Sequence, residues 1–370
     1  MMPRAVTLFL CGDVMTGRGI DQILPTPCTA ELHEPVVNSA ADYVELAERA
    51  NGPIERPVDH AYIWGDAIAE LRRVQPAARI VNLETSITTS RTYEPKGINY
   101  RMNPANIGCL SVAEIDCCVL ANNHVKDWGE DGLLETLVSL EKAKIRGVGA
   151  GRNIGQASAP CPLRLPRGGR LLVFAYGCAD SGIPRGWAAG PDKPGVNLLP
   201  DLSIDTADAV CESAREAAAE GDLLIASIHW GGNWGYRIPD EERRFAHRLI
   251  ERGGFALVHG HSSHHPRAME IYRGRLILYG CGDFLNDYEG ISGYEAYRGD
   301  LAIMYLPRLS AGDGELIEAR LVPYQIRKFR LNRASKQDVR WLREILAREC
   351  AGLGVQISLN ADDSLDVRPS

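Results

Sequence analysis

Short apolar runs, each closed by glycine or a polar turn, recur along the chain and leave few folds open to it. They are 5-AVTLFLCGD, 79-RIVNLE, 117-CCVLANNH, 171-LLVFAYG, 223-LLIASIHWG, 255-FALVHGH and 276-LILYGCGDF. Apolar runs this short, bounded by turns, predict strands covered on both faces. Segments with helical spacing at 66–74, 131–144, 205–219 and 240–252 can supply the cover. The alternation predicts an α/β chain around a largely buried sheet.

Three stretches depart from this rhythm. Residues 25–63 are rich in Pro and Glu around one short helix candidate, and their Val, Leu and Tyr content predicts a packed lid over a substrate site. Residues 335–350 read as a terminal helix and 354–368 as a closing hairpin. The expected organisation is one domain over 1–333, with 334–370 packed on it as helix and hairpin.

Charge and cysteine usage narrow the setting. A net charge of −7 argues against nucleic acid or anionic lipid as a general partner, because both need a basic surface. The N-terminal MMPRAVTLFLCGD reads as a first strand and not a signal peptide, and no apolar run is long enough to span a bilayer. Ten scattered cysteines without a C-x-x-C pair fit reduced thiols, so a cytoplasmic location is expected.

The polar residues that close the runs carry the chemistry. Asp13, Glu84, Asn123 with His124, His229 and His261 each follow a predicted strand. Loops at the carboxyl ends of strands form the crevice of an open α/β sheet, so these residues should converge on one edge. Carboxylates, an amide oxygen and imidazoles together suit one or two divalent cations, with Mn, Zn, Fe, Mg and Ca all compatible.

The motifs 12-GDVMTGR-18, 82-NLE-84, 122-NNHVKDWG-129, 229-HWG-231 and 260-GHSSHHP-266 resemble, in order and wording, the CapA branch of the calcineurin-like metallophosphoesterase superfamily, the poly-γ-glutamate capsule biosynthesis proteins. The resemblance runs from about residue 6 to about 330 and implies a four-layer α/β/β/α sandwich. It implies that Glu84 bridges two metals, that Asn123, His229 and His261 complete one site, and that Asp13 and His264 serve the other. It also implies that His124 is an acid/base oriented by Asp127. His259 is a supporting candidate, and His265 the most expendable histidine of the loop. Where the superfamily has Asp-x-His this chain has Met15, a poor ligand for hard cations, so one site has lost a ligand.

Other residues are weaker candidates. Arg18 and Arg101 are candidates for a substrate carboxylate, Cys178 for a proton carrier, and Trp230 in 230-WGGNWGY-236 for a groove wall. Asp283, beside Cys281 in 279-YGCGDF-284, falls on the expected active edge. The glycines of 147-GVGAG-151 lack the strand and helix context of a nucleotide loop.

A peptide or polyglutamate-type substrate is expected. The absence of an anchor resembles the lasso-peptide epimerases, which puts Cα epimerisation of a peptide slightly ahead of amide hydrolysis or transfer in poly-γ-glutamate synthesis. A metallophosphoesterase and a non-catalytic accessory protein are the alternatives.

Overall fold

In the computed structural model, which describes residues 5–166 and 168–370, the apolar runs divide between two stacked sheets. Ala5–Val14, Ala78–Leu83, Cys117–Val119 and Arg146–Val148 lie parallel in the larger sheet. Leu301–Ser310 and Leu316–Ile326 extend it antiparallel beyond Ala5–Val14. In the second sheet Arg170–Gly177, Leu223–His229, Leu257–His261 and Arg275–Leu278 run parallel, between antiparallel edges Cys161–Arg164 and Met269–Tyr272.

The period-two alternation of a strand separates the layers. Leu8 and Leu10 pack inward with Ile80, Val173, Ile225 and Leu257, forming the core between the sheets. Phe9, Cys11, Val81 and Leu83 face outward onto helices Arg18–Ile23, Ala40–Asn51, Asp66–Val74, Gly108–Val112 and Gly129–Lys142. On the far side Leu172, Phe174, Leu224 and Ile228 meet helices Ile204–Ala217 and Asp240–Gly253. The result is an α/β/β/α sandwich of four layers.

The segment 25–63 is packed. Leu32, Tyr43, Val44, Ile54 and Ile63 join the outer core of the larger sheet. Helix Lys336–Glu349 inserts Val339, Leu342 and Leu346 into the core between the sheets. The hairpin Val355–Leu359 and Leu365–Pro369 adds two strands to the larger sheet through Leu316–Ile326. No helix among the described residues is long and apolar enough to cross a membrane.

Two irregularities aim the chain at one spot. In the first strand Leu10 pairs with Ile80 but Asp13 with Asn82, so the strand carries one extra residue. Such a bulge reverses the facing of the residues beyond it, and Asp13 turns into the sandwich. The run 276-LILYGCGDF, read as one strand, divides instead: Arg275–Leu278 belongs to the second sheet, while Asp283–Leu285 pairs with the first strand. The crossing requires glycine, since a Cβ on Gly12 would stand 1.7 Å from the Gly282 carbonyl oxygen. Gly12→Ala is therefore expected to destabilise the protein by about 1–3 kcal/mol or more, as measured by denaturant unfolding.

Candidate metal centre

At the carboxyl ends of both parallel sets the core turns polar. Two triads have ligand atoms within 4.8 Å of one another: Asp13, His229 and His261, and Asp13, His264 and Asp283. All five residues are buried, and Asp13 is common to both triads. Asp283 owes its place to the sheet crossing, which sets it in register with Asp13.

The hydrogen-bond network fixes which nitrogen of His261 is free. The Cys11 carbonyl can only accept, so His259 Nε2–H donates to it at 2.8 Å. His259 Nδ1 then accepts from the Ser227 hydroxyl at 3.0 Å. The Ser227 oxygen is left to accept His261 Nε2–H at 2.9 Å. His261 Nδ1 is therefore bare, and it faces His229 Nδ1 at 2.8 Å. A proton or a cation has to lie between them. His229 Nε2 lies 3.1 Å from Asn123 Oδ1, and His264 Nδ1 meets Asp283 Oδ1 at 2.9 Å.

The carboxylates are under-satisfied in the way a cation would remedy. Asp13 Oδ1 accepts from Asn82 at 2.7 Å, but Asp13 Oδ2 and Glu84 Oε2 are buried without hydrogen-bond partners. Burial, with Asp283 alongside, raises the Asp13 carboxyl to about 6. Burial and the neighbouring Asp13 raise Glu84 as well. Glu84 Oε1 stands 3.7 Å from His124 Nε2 and 4.0 Å from His229 Nε2, between the two imidazoles. The donor set of carboxylates, imidazoles and one amide oxygen suits a divalent cation.

His124 and Asp127 form a dyad at its margin. His124 Nδ1 lies 2.7 Å from Asp127 Oδ2, which also accepts the Tyr100 N–H at 2.6 Å. Lys96, which no motif of the sequence singles out, pairs with Asp127 Oδ1 at 2.8 Å and donates to the Asn123 carbonyl. Burial pulls the His124 imidazole down to about 4. With Nδ1–H donated to Asp127, Nε2 is left unprotonated toward Glu84. Lys96 lies in an irregular loop and carries no strand-end signal that would reveal it.

Four candidates are used elsewhere. Cys178 and Trp230 lie in the outer apolar core beneath Phe245, and Trp230 Nε1 donates to the Tyr279 carbonyl at 3.0 Å. Neither reaches the cluster. Burial pushes the Cys178 thiol well up. Trp234, not Trp230, is the tryptophan near the site, 5.4 Å from the His264 ring and stacked on Tyr294 at 4.2 Å. His265 accepts from Gly235 N–H at 3.0 Å and so anchors that loop.

The two arginines are occupied by protein groups. Arg101 donates to the Ser90 carbonyl at 2.7 Å and lies 3.8 Å over the Trp128 ring. Arg18 forks onto Asp287 at 3.1 and 2.5 Å and reaches Glu34 at 3.1 Å and Tyr43 at 2.9 Å, so four of its five N–H donors are committed to protein groups. Arg18→Leu strands Asp287 and Glu34 as buried charges. The expected loss is about 3–5 kcal/mol in unfolding free energy, measured with denaturant.

The bacterial capsule synthesis protein family PGA_cap matches residues 7–288. A probable polyglutamine synthesis accessory protein of Mycobacterium tuberculosis is 42% identical over 370 residues, covering 100% of this chain and 97% of that one. The PGA biosynthesis protein CapA of Bacillus subtilis is 26% identical over 279 residues, 75% of this chain and 62% of that protein. Among solved structures, a novel phosphatase of Mycoplasma pneumoniae aligns with TM-score 0.47 and 11% identity over 88% of this chain and 95% of that one. The family match takes in Asp13, Glu84, the Asn-His pair, His229 and the GHSSH loop together, and the chain belongs to the CapA family of bacterial capsule synthesis proteins.

Proposed function

We propose that this protein is a metal-dependent enzyme that hydrolyses or transfers amide bonds of a polyglutamate chain during capsule-type polymer synthesis. The observation that carries the reading is the convergence of two triads on Asp13, with the His124–Asp127 dyad at their edge. The substrate class rests on the relatives, one described as a polyglutamine synthesis accessory protein and another as a PGA biosynthesis protein. These relatives favour the polyglutamate reading over Cα epimerisation of a peptide. The placement of Cys178 agrees, since it withdraws a candidate for the second proton carrier that inversion from opposite faces would use.

Asp13, His229 and His261 would hold one divalent cation and Asp13, His264 and Asp283 a second, so that Asp13 and not Glu84 is common to both. Glu84 and Asn123 lie at the other ring nitrogen of His229. Bound there, a cation supplies charge that polarises the amide carbonyl. His124 does the proton work. Its Nε2 takes the proton from the attacking water, or from an acceptor amine in transfer. It returns that proton to the departing amide nitrogen as the C–N bond breaks. Asp127, held by Tyr100 N–H and Lys96, keeps Nδ1–H in place and supports the positive charge that His124 gains.

Two measurements check this. After equilibration with Mn²⁺ or Zn²⁺ and dialysis, elemental analysis is expected to find Asp13→Asn depleted of cation at both triads and Asp283→Asn short of no more than one equivalent. Equal metal content in the wild type and both variants would contradict the shared-ligand arrangement. Incubation with poly-γ-glutamate and a divalent cation is expected to change the chain-length distribution and the count of free amines. His124→Ala should slow this by about 100-fold or more. A polymer unchanged in length and amine count with every cation tried would rule the reading out.

A further inference from the structure

From Lys142 to Ala179 the chain carries seven Lys and Arg residues and no Asp or Glu, in a protein with 41 basic and 48 acidic residues. This stretch builds one side of the sandwich: Arg146–Val148 is the last strand of the larger sheet and Cys161–Arg164 the last of the second. A groove of about 520 Å³ lies on this side, lined in part by Lys144, Arg146 and Arg152, with Glu141 its one acidic residue. The three cations are exposed, and among the described residues their side chains make no ion pair or hydrogen bond. Arg170, the last cation of the stretch, is matched by Asp222 at 2.5 Å.

Basic residues on an edge strand can serve merely to discourage pairing with another chain. That account reaches Arg146 but not Lys144 or Arg152, which lie in the loops before and after the strand. Like charges gathered around one cleft repel one another until an anionic partner enters. Arg152 follows the carboxyl end of its strand, which runs parallel to Cys117–Val119, the strand that leads into Asn123 and His124. The groove thus extends from the far end of the sandwich toward the edge that carries the metal centre.

We propose that this groove binds the acidic chain of the polymer away from the reacting bond, its carboxylates meeting Lys144, Arg146 and Arg152. The inference rests on the polyglutamate reading of the substrate. A chain bearing many carboxylates engages several cations at once, so its affinity is both polyvalent and sensitive to salt.

The test is fluorescence anisotropy with labelled poly-γ-glutamate on the full-length protein. Combining Lys144→Glu, Arg146→Glu and Arg152→Glu is expected to weaken binding by about tenfold or more. Wild-type affinity should fall as NaCl is added, while metal content and turnover of a short γ-glutamyl dipeptide stay unchanged in the variant. The triple Gln variant serves in its place if reversed charges impair folding. Equal binding by wild type and variant overturns the proposal, as does equally tight binding of a single-stranded oligonucleotide of the same charge. Binding that is lost in the variant, in a protein that cleaves no polymer, keeps the groove and removes the amide-bond reading. Cleavage with no difference in binding removes the groove alone.

Discussion

The centre depends on the close passage of two backbones at Gly12 and Gly282. Only hydrogen at the Gly12 α-carbon lets the segment crossing between the sheets run this near the first strand. The bulge at the same place turns Asp13 inward, and the crossing brings Asp283 beside it. His259 of the second sheet holds the bulge from the opposite side through the Cys11 carbonyl. A local backbone irregularity thus does what side-chain chemistry alone does not, setting carboxylates from distant parts of the chain within reach of one ion.

Around this lies a shell of groups that hold and do not react. Arg18, in a left-handed conformation with φ 46, sits between the Tyr43 and Tyr100 rings and forks onto Asp287. Tyr100 packs its ring edge on His124 at 4.4 Å and shares a hydroxyl contact of 2.9 Å with Tyr288. Tyr288 in turn reaches Met15 Sδ at 3.6 Å and the His264 ring at 5.4 Å. Met15 thereby belongs to this supporting shell.

Much of this was legible in the sequence because buried strands end where function begins. The residues closing each run, Asp13, Glu84, His229 and His261, converge because parallel strands deliver their carboxyl ends to one edge. Facing was harder to read. Strict alternation puts Asp13 opposite Leu8 and Leu10, and only a bulge, which no residue type announces, brings it inward. Cys178 and Trp230 adjoin the right strands but point to the outer layer. Asp283 gives a weak signal because an apolar run interrupted by glycines reads as one strand when it serves two sheets. Arg18 and Arg101 show the ordinary use of a buried guanidinium, which is to satisfy carbonyls and carboxylates of its own chain.

The segment 25–63 has a consequence for how the molecule can be divided. It supplies Glu34 and Tyr43 to the arginine that also holds Asp287, a few residues beyond Asp283. A loop that only covered a cleft could be shortened or exchanged with local effect. This one completes the hydrogen bonding of a buried arginine, so its sequence is tied to that of the segment around Asp287 and the two must vary together.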